Sequence, residues 1–488
     1  MKYLHIIILS LALVLSSCSG ERTAEITILH WNDFHSQNIP WVPARNNPEG
    51  HTVGGYAVLD AYLDSLQGVY PGALRVHTGD EFQGSPVCAV TKGVSQIEIL
   101  NVVQPDFFTV GNHELDYSWH HLDSLRRHVA DFQMYAANLI DTRNGESPLP
   151  QYRVFSRDRY RFALIGLTHP ELDFLTMPKN LQGIQVADHI TATRDIIHYL
   201  KRRGVCCFVV VSHMGIETDR ELARAVPDID LIVGGHSHTY MQEAEQVNGV
   251  WIVQAGDRGR YVGVTRFTAG REGIASLDMQ YVETLTANIR PSPDVAEIVD
   301  KYEAKLAEEM NRVIGELKTP WIRSSGESNI GNWIADAFRQ AAGTDIAIMN
   351  NGGIRKDMAV GKITVRDMWE IAPFGNTLVT FAWTGEQLLR ALNHMTIENM
   401  SMQFSGIRMV LDRKKGVVDV KVNGKPLDPA KIYTIAANDY TVSQTHRYFG
   451  LDIPPQTETG LVDRDILIRN VEKQPNITSR IEGRIIYQ

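Results

Sequence analysis

Two mixed α/β units joined by a helix are what this chain of 488 residues predicts, and three features carry that expectation. Short apolar runs recur near residues 26–29, 74–77, 107–110, 162–167, 207–211, 230–233 and 250–254. Between them, segments such as 55–67 and 190–203 space their apolar residues as a helix face does. The alternation breaks at 284–293, TLTANIRPSP, and a second mixed pattern begins near residue 313. Alternation of this kind builds α/β layers around a buried core.

The elements follow in order. Met1 and Lys2 precede a short apolar run that ends at Leu15-Ser16-Ser17-Cys18. That length suits an export signal better than a membrane span. The box resembles that of bacterial lipoproteins, which implies cleavage before Cys18 and a lipid on its new N-terminus; a plain secretory signal is the alternative. Residues 1–17 are therefore read as a signal peptide and 18–24 as an anchor linker. The expected place is the periplasmic or outer face of a bacterial membrane, with membrane contact through Cys18 only. No later segment is long and apolar enough to span a bilayer.

Residues 25–284 form the first expected unit. The irregular stretch 36–54, with three prolines, covers a site or is plain surface. From Pro293 onward, Val295, Ile298, Val299, Tyr302, Leu306 and Met310 fall at helical spacing. The linking helix is thus placed within 285–312. In the second unit, 313–488, SNIGNWIADAFRQAAG reads as a helix with a glycine stop and DIAIMN as a strand entering a glycine turn. TLVTFAW is a strand followed by the helix TGEQLLRALNHM, and Asn423-Gly424 signals a hairpin.

Composition narrows the function. The charged fraction is 22%, and 48 basic against 57 acidic side chains leave a formal charge of −9. A general binder of nucleic-acid polymers needs a basic face, so that class is disfavoured. Small anionic substrates remain open, because a local field can oppose the global one. The four cysteines are Cys18, Cys88, Cys206 and Cys207. Cys206 and Cys207 are neighbours in an apolar run, pointing to opposite faces, so no disulfide framework is expected.

Five apolar runs end in residues that seek metals. They deliver Asp33 and His35; Asp80; Asn112, His113 and Asp116; His213; and His236 and His238. A buried strand followed at once by Asp, Asn or His aims its ligands from one sheet edge into one cavity. Nitrogen and oxygen donors without thiolate favour Zn²⁺, Mn²⁺ or Fe²⁺ over Ca²⁺. A strand-end histidine taken singly is more often structural, so His30, His77 and His169 are left out of the ligand set.

In this order D-x-H, GD, GNH, SH and GHSH resemble the calcineurin-like metallophosphoesterases. GDEFQGSP, GNHELD, QAGDRGRYVG and NGGIR narrow the resemblance to the 5′-nucleotidase and UDP-sugar hydrolase family. The resemblance implies a four-layer α-β-β-α sandwich followed by a smaller α+β C-terminal domain. It implies two divalent metal ions. Asp33, His35, Asp80 and His238 would hold one; Asp80, Asn112, His213 and His236 would hold the other. It makes His113 and Asp116 a catalytic pair. In the second unit it gives Arg355 to substrate phosphate, and Asn350, Phe404 and Tyr440 to the nucleoside, the two aromatics as a base sandwich.

Two departures leave nucleotide specificity open. TVSQTHRYFG stands where relatives often carry a ribose-binding Asp, with His446 or Arg447 as candidate replacements. Ser324 stands where they often carry Arg, with Arg323 one place off. The expected function is hydrolysis of phosphate esters, with 5′-nucleotides first. A 2′,3′-cyclic nucleotide phosphodiesterase or UDP-sugar diphosphatase is the alternative on the same centre. A non-catalytic nucleotide-binding lipoprotein is the alternative from another class.

Overall fold

A computed structural model describes residues 23–488 apart from 159, 271–272, 399–400 and 413. The expected signal peptide and Cys18 lie outside the described residues.

The first unit is a sandwich of two six-stranded sheets. One runs in the order 273–283, 261–270, 24–31, 74–77, 107–109, 134–135. The other runs 245–247, 250–253, 231–233, 207–212, 160–167, 152–157. In each, the strands nearest the centre are parallel: 24–31 with 74–77, 74–77 with 107–109, 160–167 with 207–212, and 207–212 with 231–233. Parallel strands buried on both faces read as continuous apolar runs, and CFVVVS is buried throughout.

Ile28, Val76 and Phe107 of one sheet share a core with Leu164, Val209 and Val233 of the other. Helices Tyr56–Val69, Val94–Val103 and Trp119–His128 cover the outer face of the first sheet. Helices His189–Lys201 and Ile216–Ala225 cover that of the second. The result is the four-layer α-β-β-α sandwich. The stretch 36–54 holds no helix, and its ladder contacts are Trp41 with Val53 and Val53 with Leu285.

Pro293, at the first helical position, opens a helix that runs to Met310. Residues 285–292 are not part of it, and form a separate single turn at Thr286–Asn288. Val295 and Val299 enter the core under the first unit. The second unit centres on a five-stranded sheet in the order 402–405, 346–350, 432–438, 377–384, 457–462. Helix Asn329–Ala342 stops at Gly343, in the left-handed conformation. Thr384 and Gln387 cap helix Gly385–Ile397 reciprocally. Asn423 and Gly424 both take positive φ in the tight turn between strands 416–422 and 425–426.

Cys88, Cys206 and Cys207 are free thiols. Cys207 is buried and Cys206 partly exposed, as neighbours on opposite faces must be. No helix among the described residues is long and apolar enough to cross a membrane.

Candidate metal centre

The parallel strands of both sheets end at one edge, and the ligand candidates sit on the loops that leave it. These loops are tight. Asp33, His35, Asp80, His236 and His238 all have φ between 50° and 71°. Each such residue costs on the order of 1–3 kcal/mol and persists only where surroundings over-determine it. Glycines make the crowding tolerable. A Cβ on Gly79 would lie 2.7 Å from the nitrogen of Gly111, and one on Gly111 would lie 2.3 Å from Oδ1 of Asp80. The GD and GNH loops therefore touch through their glycines.

Three ligand groups result: Asp33, His35 and His238; His35, Asp80 and His113; and Asp80, His213 and His236. Within each, one ligand atom per residue lies within 4.8 Å of the others. Nε2 of His35 is 3.0 Å from Nε2 of His238, which is 3.4 Å from Oδ1 of Asp33. Oδ2 of Asp80 is 3.1 Å from Nε2 of His213, 4.0 Å from Nε2 of His35 and 3.9 Å from Nε2 of His113. Nδ1 of His236 is 2.9 Å from Oδ1 of Asn112. All seven residues named as ligands from the sequence are thus brought together, with Asp80 between two groups.

The donor set fits divalent ions. Nδ1 of His213 donates to the Thr78 carbonyl at 2.7 Å, which turns Nε2 toward Asp80. That Nε2 is buried and has no hydrogen-bond partner. Burial lowers a histidine, yet the facing carboxylates raise His213 to about 10 and His238 to about 9. Against its own burial, Asp80 is held well below the usual carboxylate range by His213, His113 and His35. A field that draws protons this strongly draws cations for the same reason.

His113 and Asp116 meet. Nδ1 of His113 donates to Oδ2 of Asp116 at 2.8 Å, and Nε2 faces the ligand cluster. Burial lowers His113, but Asp116 and Asp80 outweigh it and the ring rises above its ordinary value. Ser118, not Asp116, caps the helix that follows.

Reading spacings overlooked several supports. The buried carboxylate of Glu114 accepts from the backbone nitrogens of Asp80, Glu81, Phe82 and Gly111 at 2.6–3.1 Å. It ties the GD loop to the GNH loop. Asp257, inside the quoted QAGDRGRYVG, lies 3.3 Å from Nδ1 of His238. Asn32 donates to Asp33 and accepts from Ala255. The excluded histidines have other work. His30 bonds Thr265, and His77 bonds Glu81 while accepting from Gly79. His169 packs its ring 4.4 Å from His236 and accepts from the Glu171 nitrogen.

A cleft of about 610 Å³ runs from this edge to the second unit. Asn350, Arg355 and Tyr440 line it. Arg355 reaches across, with Nη2 3.3 Å from Nε2 of His35. Oδ1 of Asn350 accepts from Asn438 and Thr441. The Tyr440 hydroxyl donates to the Phe174 carbonyl at 2.5 Å.

Phe404 is a correction. It is 1% exposed, sits in the second-unit core with Leu388 and Leu392, and does not line the cleft. Its strand is buried on both faces, so the ring has no face to offer a base. An aromatic that does line the cleft, beside Tyr440, is Phe374, half-buried and 5.6 Å from the His113 ring. The replacements considered for the missing ribose and phosphate contacts are elsewhere. Arg323 is held by Asp357, Arg447 pairs with Glu171, and His446 is exposed; none lines the cleft.

Residues 26–240 match the calcineurin-like phosphoesterase family, and residues 313–450 match the 5′-nucleotidase C-terminal domain. The chain belongs to the 5′-nucleotidase family of metal-dependent phosphoesterases and is a hydrolase. Protein UshA of Yersinia enterocolitica is 26% identical over 96% of this chain and 95% of its own. Endonuclease YhcR of Bacillus subtilis is 28% identical over 86% of this chain, which spans only 37% of that larger protein. A 5′-nucleotidase precursor from Thermus thermophilus superposes with a TM-score of 0.87 at 26% identity, over 95% of this chain and 99% of that structure.

Proposed function

We propose that this chain hydrolyses 5′-nucleotides to nucleoside and phosphate, using two divalent ions, from a lipid-anchored position outside the cytoplasm. The observation that carries the reading is the position of Asp80 between two ligand groups, with the His113–Asp116 pair and Arg355 turned to the same point. Asp33, His35, Asp80 and His238 would hold one ion, and Asp80, Asn112, His213 and His236 the other. Bound there, the ions would supply Lewis-acid polarisation and a nucleophile from water at neutral pH.

The chain's own residues do the rest. Arg355 offers a planar fork to the phosphate oxygens. Asp116 holds the Nδ1–H of His113, so Nε2 carries its proton toward the ester oxygen that leaves. Phe374 closes over His113 and, with Tyr440, walls the nucleoside end of the cleft. The Thermus protein, whose name is that of a 5′-nucleotidase, supports this reading.

Lys92 and Lys179 also line this cleft. Their charges favour, as a second reading, diphosphate diesters such as UDP-sugars. Export rests on the N-terminal apolar run and the Leu15–Cys18 box. It is checked by membrane fractionation, with Cys18→Ala expected to release the protein.

The function is tested by phosphate release from AMP, UDP-glucose and a 2′,3′-cyclic nucleotide, using the chain that begins after Cys18 with several divalent cations. AMP is expected to turn over fastest, and a chelator to stop it. Turnover unaffected by chelation, or none on any of the three, overturns the reading.

A further inference from the structure

The turn Gly256–Gly259 belongs to none of the three ligand groups, yet it bonds residues of both units. Its conformation is closely determined. Gly256, Arg258 and Gly259 all have positive φ, and Arg258 does so at 54° without being glycine. The backbone nitrogen of Arg258 donates to the carbonyl of Asp33 at 2.8 Å, so the turn is fastened to a ligand residue. Asp257 sits 3.3 Å from Nδ1 of His238 and orients a second one. The Arg258 side chain leaves this fixed base, passes over the Trp41 ring at 5.9 Å, and donates from Nη2 to the backbone carbonyl of Arg355 in the other unit. The side chain is 13% exposed.

The Arg258 guanidinium is therefore held against the main chain of Arg355, near enough for its charge to be felt by that arginine. Burial and the charges of Arg323 and Arg258 together lower Arg355 to about 10. Like charges do not approach for their own sake. Here the approach is maintained by a hydrogen bond from one arginine to the backbone of the other, and it leaves the Arg355 fork 3.3 Å from His35. Arg355 itself follows two glycines and sits on a turn rather than in a helix or strand. A turn of that kind does not by itself hold a long side chain to an ångström. The Arg355 nitrogen is held by the Ile371 carbonyl at 2.9 Å within the second unit, and the strut from the first unit holds its carbonyl.

We infer that Arg258 is a positioning residue. It fixes the main chain of Arg355, and so the reach of that arginine to the ligand edge, across the boundary between the two units. This rests on the reading of Arg355 as a phosphate contact. It adds that the first unit shares in placing this contact, through a residue that is not itself a metal ligand.

The test is a double-mutant cycle with Arg258→Met and Arg355→Met, measured on the full chain after Cys18. Readouts are kcat and KM on AMP, competitive inhibition by inorganic phosphate, and metal content per chain. Arg258→Met is expected to raise KM and weaken phosphate inhibition roughly tenfold, the loss of one hydrogen bond from a charged donor. Metal content should stay at the wild-type value, and Arg258→Lys should recover part of the loss. In the Arg355→Met background, the Arg258 change should have little further effect, because contacts acting through one residue do not add.

Additive losses, or an Arg258→Met enzyme equal to wild type, overturn the inference while leaving the function standing. Full activity in Arg355→Met would instead sink the phosphate-contact reading itself. If Arg258→Met fails to fold, Arg258→Lys with the phosphate inhibition readout decides: an unchanged inhibition constant counts against the strut.

Discussion

Two buried carboxylates, one in each unit, show what separates the halves of this molecule. Asp80 and Asp463 are both 1% exposed. Burial works against ionisation in each. At Asp80 the imidazoles of His213, His113 and His35 overcome it and hold the group well below its ordinary value. At Asp463 no such ring of cations exists, and burial lifts the carboxyl from 3.8 to about 7. The first unit has gathered partners around an acid at a sheet edge. The second has buried an acid at a helix start, and burial outweighs the backbone donation there that favours its charge. One arrangement is built to hold cations, and the other to fold.

The largest effect that would break this contrast is at Asp80. Asp80→Asn should lower occupancy of both metals together and abolish phosphate release, as read by elemental analysis beside an activity assay. Loss of one ion with the other retained would show that Asp80 does not bridge.

Next is His113→Ala. It should leave the metals in place and reduce kcat on the order of 10²–10⁴. Wild-type turnover would assign the proton to another group.

The aromatic pair in the second unit sharpens the comparison further. Phe374→Ala should raise KM for AMP roughly tenfold or more, as expected where a base loses a stacking partner worth about 1–3 kcal/mol. A simple aryl phosphate should be less affected. Phe404→Ala should instead destabilise the fold by about 3–5 kcal/mol, seen as a lower Tm, with little change in KM. Reversed results would return Phe404 to the cleft.

The smallest effect concerns Asp463. The folded chain keeps a proton there that the unfolded chain releases near pH 4. The stability this contributes is complete below about pH 4 and is lost as pH rises through 7. Asp463→Asn should therefore gain Tm relative to wild type more at pH 8 than at pH 5. An equal difference at both values would show that the carboxyl ionises normally.

The same contrast explains what could be read without coordinates. Each ligand in the first unit closes an apolar strand, so position along the chain and position in space coincide; Asp33, Asp80, Asn112, His213 and His236 were legible for that reason. Glu114 was not, because a carboxylate that collects backbone nitrogens from two loops leaves no spacing behind. Asp257 stood in a recognised motif, but only the fold brings it behind His238. In the second unit the side chains come from turns. Phe374 lies between a helix ending at Ile371 and a strand starting at Thr377, with no periodic signal around it. Phe404 had the appearance of a strand-end aromatic, and only burial on both faces shows that it belongs to the core.

The central claim is that one carboxylate, Asp80, joins two cation sites. Elemental analysis of purified, catalytically active chain, before and after chelation, tests it most directly. The account predicts two divalent transition-metal ions per chain, with phosphate release lost when they are stripped and restored when they are returned. Full activity with one ion per chain or none would contradict it.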